Sequence, residues 1–145
     1  FAFFPLYPII LKILNIFIQN ILLTGFLFAN FMLLINFLSL IYVLKKFTNE
    51  KIAIKTAFLL FLFPFSIFFR SYFTESLFLF FLIWFTHFLL KKSYLAGGLL
   101  LGLLNLTRGS AVLLYFFFLY YVFTDLQKKK FQLFFELSPK KTLRY

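Results

Sequence analysis

Long apolar runs, separated by short polar or charged segments, make up most of this chain. The clearest run, residues 21–44, holds 24 residues without a charge. It would form a helix about 36 Å long at 1.5 Å per residue, enough to cross a bilayer. The same pattern predicts four shorter spans, over residues 54–69, 74–90, 93–107 and 111–124. We therefore predict an all-α fold, a polytopic transmembrane helical bundle with about five spans.

The segment before the first long run has a different pattern. Pro5 and Pro8 lie close together, and we expect no regular helix to pass through them. After the prolines, polar residues recur at helical spacing between apolar ones, at Lys12, Asn15 and Gln19. This pattern predicts an amphipathic N-terminal helix, lying in the membrane interface or packed on a neighbouring bundle.

Composition supports a membrane protein and limits its chemistry. Hydrophobic residues make up 63% of the chain and its mean hydropathy is +0.99, whereas soluble domains are about 45–50% apolar. The chain has no cysteine and one histidine, so disulfides and thiol chemistry are excluded. We predict no metal site built from His and Cys and no cofactor, and the sequence leaves open whether the protein uses a metal ion.

The basic residues give the predicted topology. With five spans, twelve of the fifteen Lys and Arg residues fall on one side, which is the cytoplasmic side by the positive-inside rule. They include a basic cytoplasmic tail over residues 127–145. The net charge of +11 is thereby attributed to topology, and nucleic acid is excluded as a partner. A single span over residues 93–124 would instead place Arg108 near the middle of the bilayer, where inserting an arginine costs about 2.5–3.5 kcal/mol.

Several polar or conformationally special residues interrupt the predicted spans. Asn30 and Asn36 lie inside the first span, where we expect them to find partners on another helix. Pro64 predicts a kink in the second span. Gly98 and Gly102 form a small-xxx-small pattern that favours close helix packing in the fourth.

The candidate site residues lie on the side opposite the lysines: Tyr7, Arg70, Tyr72, Glu75 and Arg108. One interpretation is that they are interface anchors, since the charges suit the dipoles of the helix ends. The other is a binding site, because charges at helix ends facing a cavity are typical of functional sites and arginine binds phosphate oxygens well.

Short motifs along residues 1–115 resemble the PIG-V-type mannosyltransferases of the GT-C glycosyltransferase class. The matching blocks are Phe3-Phe-Pro-Leu-Tyr-Pro8, Phe63-Pro-Phe-Ser-Ile-Phe-Phe69 with Tyr72, Thr74-Glu-Ser-Leu-Phe78, Ala96-Gly-Gly98 and Leu106-Thr-Arg-Gly109. The resemblance implies transfer of mannose from a polyprenyl-phosphate (dolichyl-phosphate) sugar donor to a lipid or glycolipid acceptor, on the non-cytoplasmic face.

The resemblance also implies roles for the candidate residues. Tyr7, Arg70, Tyr72, Glu75 and Arg108 would bind substrate, with Arg108 on the donor phosphate and Glu75 as polar support or acceptor contact. The catalytic carboxylate is expected upstream of Phe1, so residues 1–145 would be a fragment holding one incomplete transmembrane domain.

Three classes of function remain open from the sequence. The first is the membrane glycosyltransferase that the motifs favour. The others are a fragment of a transporter or flippase, for which broken or repeated spans would be expected, and a structural membrane subunit. In each case we expect an integral multi-pass protein of a prokaryotic plasma membrane or the endoplasmic reticulum membrane.

Overall fold

Every regular element in the described part of the chain is helical. The computed structural model describes residues 5–63 and 74–137, with side chains as far as residue 128. The helices are α1 (Leu6–Ile18), α2 (Ile21–Leu44), α3 (Glu50–Leu62), α4 (Glu75–Leu90), α5 (Tyr94–Thr107) and α6 (Val112–Leu137), with a short 3-10 helix over Gly109–Ala111. The predicted all-α fold is confirmed.

Two of the described helices are long and apolar enough to cross a membrane. They cover Ile21–Leu44, with mean hydropathy 2.2, and Gly109–Lys128, with mean hydropathy 1.5. Only 28% and 11% of their most apolar windows are buried inside the protein, whereas the core helix of a soluble protein is mostly buried. These two helices are candidate membrane spans. Helices α1, α4 and α5 are apolar but shorter, and the five-span arrangement stays a prediction.

The chain divides into two compact units, Phe1–Val112 and Leu113–Tyr145. The first unit contains α1 to α5, and the second contains most of α6. The break between α5 and α6 excludes one continuous helix over residues 93–124, because Arg108 is extended, with φ −158° and ψ 129°.

Helix α1 begins earlier than the prolines led us to expect. It starts at Leu6, so Pro8 lies in its first turn. The first N–H groups of a helix have no acceptor within it, and a proline there loses no hydrogen bond. The expectation that no helix passes through Pro8 was therefore wrong. The helix packs along α2, where the ring centroids of Tyr7 and Phe28 lie 5.9 Å apart, as in the second of the two predicted placements.

A tight turn joins α1 to α2. Gln19 ends α1 in the left-handed conformation, with φ 57°. The Asn20 side chain then caps α2 by accepting hydrogen bonds from the backbone N–H groups of Leu22 and Leu23, at 3.1 and 3.2 Å. Caps of this kind replace acceptors that the first turn of a helix lacks.

Helix α3 differs from the predicted second span at both ends. It covers Glu50–Leu62 rather than residues 54–69. Phe63 has left the helical conformation, with ψ 142°, because the ring of the following proline excludes the α region for the residue before it. The predicted kink at Pro64 lies outside the described residues.

Helices α2 and α4 run parallel to each other. Residue numbers rise together along their contact, which joins Asn36 to Ser76, Tyr42 to Trp84 and Lys46 to His87. Lysines follow both helices, at positions 45, 46, 91 and 92, and this end of the pair is called the basic end below. The predicted co-location of these four lysines is therefore seen in the first unit.

Helices α4 and α5 form an antiparallel hairpin with a three-residue connection. The turn is a Schellman motif, in which the N–H of Lys92 donates to the carbonyl of Leu89 at 2.9 Å and that of Ser93 to Phe88 at 3.0 Å. Lys92 takes the left-handed conformation that this motif requires, with φ 59°. The hairpin returns the end of α5 to the beginning of α4.

Candidate functional site

An ion pair closes the open end of the α4–α5 hairpin. Nη1 of Arg108 donates to Oε1 of Glu75 at 3.3 Å. Glu75 is the first residue of α4 and Arg108 caps the end of α5, so each charge also opposes the dipole of its own helix end. Two of the five predicted site residues are thus in direct contact.

The pair is open to its surroundings on the arginine side. The Arg108 side chain is 51% exposed, against 26% for Glu75. A guanidinium has five N–H donors in a planar fork, and its contact with Glu75 uses a single oxygen. Arg108 can therefore hold a phosphate or carboxylate while Glu75 keeps its position.

Buried oxygen atoms without a hydrogen-bond partner in the described part of the chain occur at Glu75 and at nearby positions of α4 and α5. Oε2 of Glu75 is one of them, although its sister oxygen contacts Arg108. The side chains of neighbouring positions on the same helices share this property: Oγ of Ser76 on α4 and Oδ1 of Asn105 on α5. A buried oxygen left in this state costs about 1–3 kcal/mol. Such groups call for an explanation, and a bound water or ligand that donates hydrogen bonds to them is one.

Asn36 connects this end of α4 to α2. Its Nδ2 donates to the backbone carbonyl of Ser76 at 2.7 Å, and both side chains are completely buried. The sequence singled out Asn36 as a packing residue, and its predicted partner on another helix is confirmed. Asn30 differs, because its Nδ2 donates to the carbonyl of Phe26 in its own helix at 2.8 Å.

Tyr7 lies beside the first turn of α4. It is 5% exposed and forms a buried cluster with Phe28 of α2 and Leu77 of α4. Leu77 is two residues after Glu75, so α1 brings Tyr7 to the same end of the hairpin. Its role in binding substrate stays a prediction.

The remaining two predicted site residues, Arg70 and Tyr72, lie outside the described residues. Sequence reasoning had not assigned Asn36, Ser76 or Asn105 to this site. The available signal was their polarity inside apolar runs, which does not tell whether a polar side chain faces a site or a neighbouring helix.

Among the side chains that the structure describes, in residues 5–63 and 74–128, no group of three or more His, Asp or Glu residues is placed to hold a metal ion. The described chemistry of the site therefore consists of one guanidinium, one carboxylate and several neutral hydrogen-bonding groups. A guanidinium is a hydrogen-bond donor suited to anions, and a carboxylate is an acceptor suited to hydroxyl groups.

Comparison of the chain with protein-family models, with curated proteins and with solved structures found no match.

Proposed function

We propose that this protein is a multi-pass membrane glycosyltransferase that moves mannose from a polyprenyl-phosphate donor to a lipid-linked acceptor. The observation that carries the proposal is the contact of Arg108 with Glu75 at the open end of the α4–α5 hairpin. These residues belong to two separate blocks of the resemblance to the PIG-V-type enzymes, 33 positions apart in the chain. Their meeting in space supports a common site.

A membrane location is supported by the outward faces of the first two helices. Large apolar side chains are exposed along both, including Phe17 at 82% and Leu22 at 68%. Exposed apolar patches of this kind are rare on soluble monomers. In the proposed arrangement α2, α4 and α5 cross the bilayer with the basic end in the cytoplasm, and the Glu75–Arg108 pair faces the opposite side.

The reaction would be a direct displacement at the sugar. An acceptor hydroxyl oxygen bonds to C1 of mannose as the bond from C1 to the phosphate oxygen breaks, and a carboxylate base takes the hydroxyl proton. Arg108 stabilises the negative charge that collects on the departing polyprenyl phosphate. Glu75 acts as a positioning residue, since its Oε1 holds the guanidinium and its Oε2 is free to accept a hydrogen bond from the acceptor.

The proposal is tested by sugar transfer in membranes that contain the full-length protein, supplied with radiolabelled polyprenyl-phosphate mannose. We expect label to move to a lipid acceptor, and Arg108→Gln to reduce the rate by about 100-fold or more, as for loss of one transition-state donor. Glu75→Gln should reduce it less, because a neutral amide still accepts a hydrogen bond from Arg108.

The matched control is Glu50→Gln, which removes an ion pair at the basic end of the first unit. Glu50 contacts Lys45 at the basic end, and both side chains are largely exposed. This variant should transfer mannose at the wild-type rate. If well-folded protein transfers no sugar with any acceptor extract, or if Arg108→Gln is fully active, the proposed site is wrong. The charges would then be interface anchors.

A further inference from the structure

A second cluster of basic and aromatic side chains lies at the basic end of α2 and α4. Nζ of Lys46 is 3.4 Å from Nε2 of His87 and 4.7 Å from the ring centroid of Tyr42. His87 is 3% exposed, and the ring centroid of Trp84 lies 5.5 Å from that of its imidazole. These four residues, Tyr42, Lys46, Trp84 and His87, are called the Lys46 cluster below.

The Lys46 cluster has no carboxylate available to it within its unit. The sequence of Phe1–Val112 contains two acidic residues, Glu50 and Glu75. Glu50 is bound by Lys45, and Glu75 by Arg108 at the other end of α4. Lys46 instead contacts a histidine, and the positive charge of Lys91 also acts on that histidine. The cluster therefore concentrates positive charge without a neutralising partner.

The hydrogen-bonding groups of the cluster are suited to an acceptor. The Lys46 ammonium has three N–H donors, one of which reaches the His87 ring. Nε1 of Trp84 is a further donor, buried and without a hydrogen-bond partner in the described residues. The oxygens of a phosphate group accept hydrogen bonds from such donors, and its negative charge would balance the positive charge of the cluster.

We propose that the Lys46 cluster binds an anionic phosphate group, with the headgroup of an acidic phospholipid as its main source. Lys46 lies two residues after the end of α2, a candidate membrane span, so its ammonium lies at the height where headgroups are found. Tyrosine, tryptophan and lysine at such helix ends are typical of the membrane interface, and basic pockets between helices bind acidic headgroups.

This site is separate from the one proposed for sugar transfer. His87 and Glu75 are twelve positions apart on α4, a distance of about 18 Å along the helix. Binding at the Lys46 cluster does not depend on the glycosyltransferase proposal, and its test measures binding alone. Failure of either proposal leaves the other standing.

The chain provides its own probe, because Trp84 is its only tryptophan. The full chain is placed in phosphatidylcholine nanodiscs, and its tryptophan fluorescence is followed as phosphatidylglycerol replaces part of the lipid. A parallel arm adds inorganic phosphate without acidic lipid. We expect a saturable change with phosphatidylglycerol, and none when more phosphatidylcholine is added. A saturable change with inorganic phosphate alone would assign the site to free phosphate as well.

Substitutions at two neighbouring lysines distinguish specific binding at the Lys46 cluster from general electrostatic attraction to an acidic membrane surface. Lys46→Gln should weaken the apparent affinity for phosphatidylglycerol by about tenfold, in the range of one charge-assisted hydrogen bond. Lys45→Gln removes the same charge one position away and should change it less than about twofold, since Lys45 is paired with Glu50. Lys46→Arg should restore binding.

Both lysines are exposed, so far-UV circular dichroism should be unchanged in all three variants. An equal loss of affinity in Lys45→Gln and Lys46→Gln would overturn the proposal, because it would show only general electrostatic attraction. The absence of any saturable fluorescence change, with phosphatidylglycerol and with phosphate, would overturn it too.

Discussion

Asn36 of α2 and Ser76 of α4 are joined by a buried hydrogen bond between two helices of the first unit, 2.7 Å from Nδ2 to the backbone carbonyl. The bond fixes the first turn of α4 against the middle of α2. Glu75 precedes Ser76 in that turn, so its carboxylate, and through it the Arg108 guanidinium, keeps its place relative to α2. The position of the candidate site thus depends on a residue that touches neither charge.

Replacing Asn36 by leucine should therefore destabilise the protein and disturb the site. Hydrogen bonds between membrane helices contribute about 0.6 kcal/mol on average and up to about 1.7 kcal/mol, and we expect a loss in this range. Denaturant titration in detergent micelles, followed by circular dichroism, measures it. If the proposed function is right, the rate of sugar transfer falls as well.

Asn30→Leu is the matched control for this prediction. Asn30 lies in the same helix, but its amide bonds to Phe26 of that helix and not to a neighbour. We expect its substitution to change the free energy of unfolding by less than about 0.5 kcal/mol. Equal effects of the two substitutions would contradict the structural role given to the Asn36–Ser76 bond.

The sequence predicted which segments are helical more accurately than it predicted where each helix begins and ends. Long runs such as residues 21–44 predict a helix because they carry no charge and most of their positions are apolar, and α2 has those bounds. The predicted second span began four residues after the first residue of α3, because the prediction followed hydrophobicity, whereas α3 begins with the charged residues Glu50 and Lys51. Hydrophobicity marks where a helix is apolar, whereas capping and backbone geometry decide where it begins.

The candidate site was predictable in part for a similar reason. Glu75 and Arg108 are charges in an apolar chain, so their positions at helix ends could be read from the sequence. Their contact could not, since it depends on the hairpin turn at Lys92 and on the lengths of both helices. The connection of Asn36 to the site could not be predicted either, because Asn36, like Asn30, is an asparagine within an apolar run.

A double-mutant cycle on Glu75 and Arg108 should give a small coupling energy. Arg108 is half exposed, and ion pairs of this kind contribute about 0.2–1 kcal/mol. We expect the cycle of Glu75→Gln, Arg108→Gln and the double variant to stay within that range when unfolding is followed in detergent. A coupling above about 3 kcal/mol would instead indicate a buried structural pair, and loss of activity could not then be assigned to the site.

Gln19→Gly should stabilise the turn between α1 and α2. Gln19 has φ 57°, and the left-handed conformation costs residues with a Cβ about 1–2 kcal/mol that glycine avoids. Allowing for the greater freedom of glycine in the unfolded chain, we expect a gain of about 1 kcal/mol. Lys12→Gly, within the same helix, should show the opposite sign, with a loss of about 1 kcal/mol. A loss of stability in Gln19→Gly would show that its side chain contributes more than the conformation costs.

Gly102→Ala tests the small-xxx-small pattern on α5, which the structure does not bear out at this position. A Cβ added at Gly102 would meet no atom within 4 Å among the described residues, so the glycine allows no close approach of a second backbone there. Alanine is favoured over glycine in a helix interior by about 1 kcal/mol. Gly102→Ala should therefore raise the free energy of unfolding by that amount.

Whether Gly102→Ala raises or lowers the free energy of unfolding shows whether another helix packs against the Gly102 face of α5. A gain of stability in the purified protein would mean that no helix packs against the Gly102 face of α5, in agreement with the described residues. A clear loss would mean that a helix from a second copy, or from elsewhere in the protein, packs against that face. The second outcome would contradict the prediction. It would be checked by repeating the measurement at several protein concentrations, since only packing between copies depends on concentration.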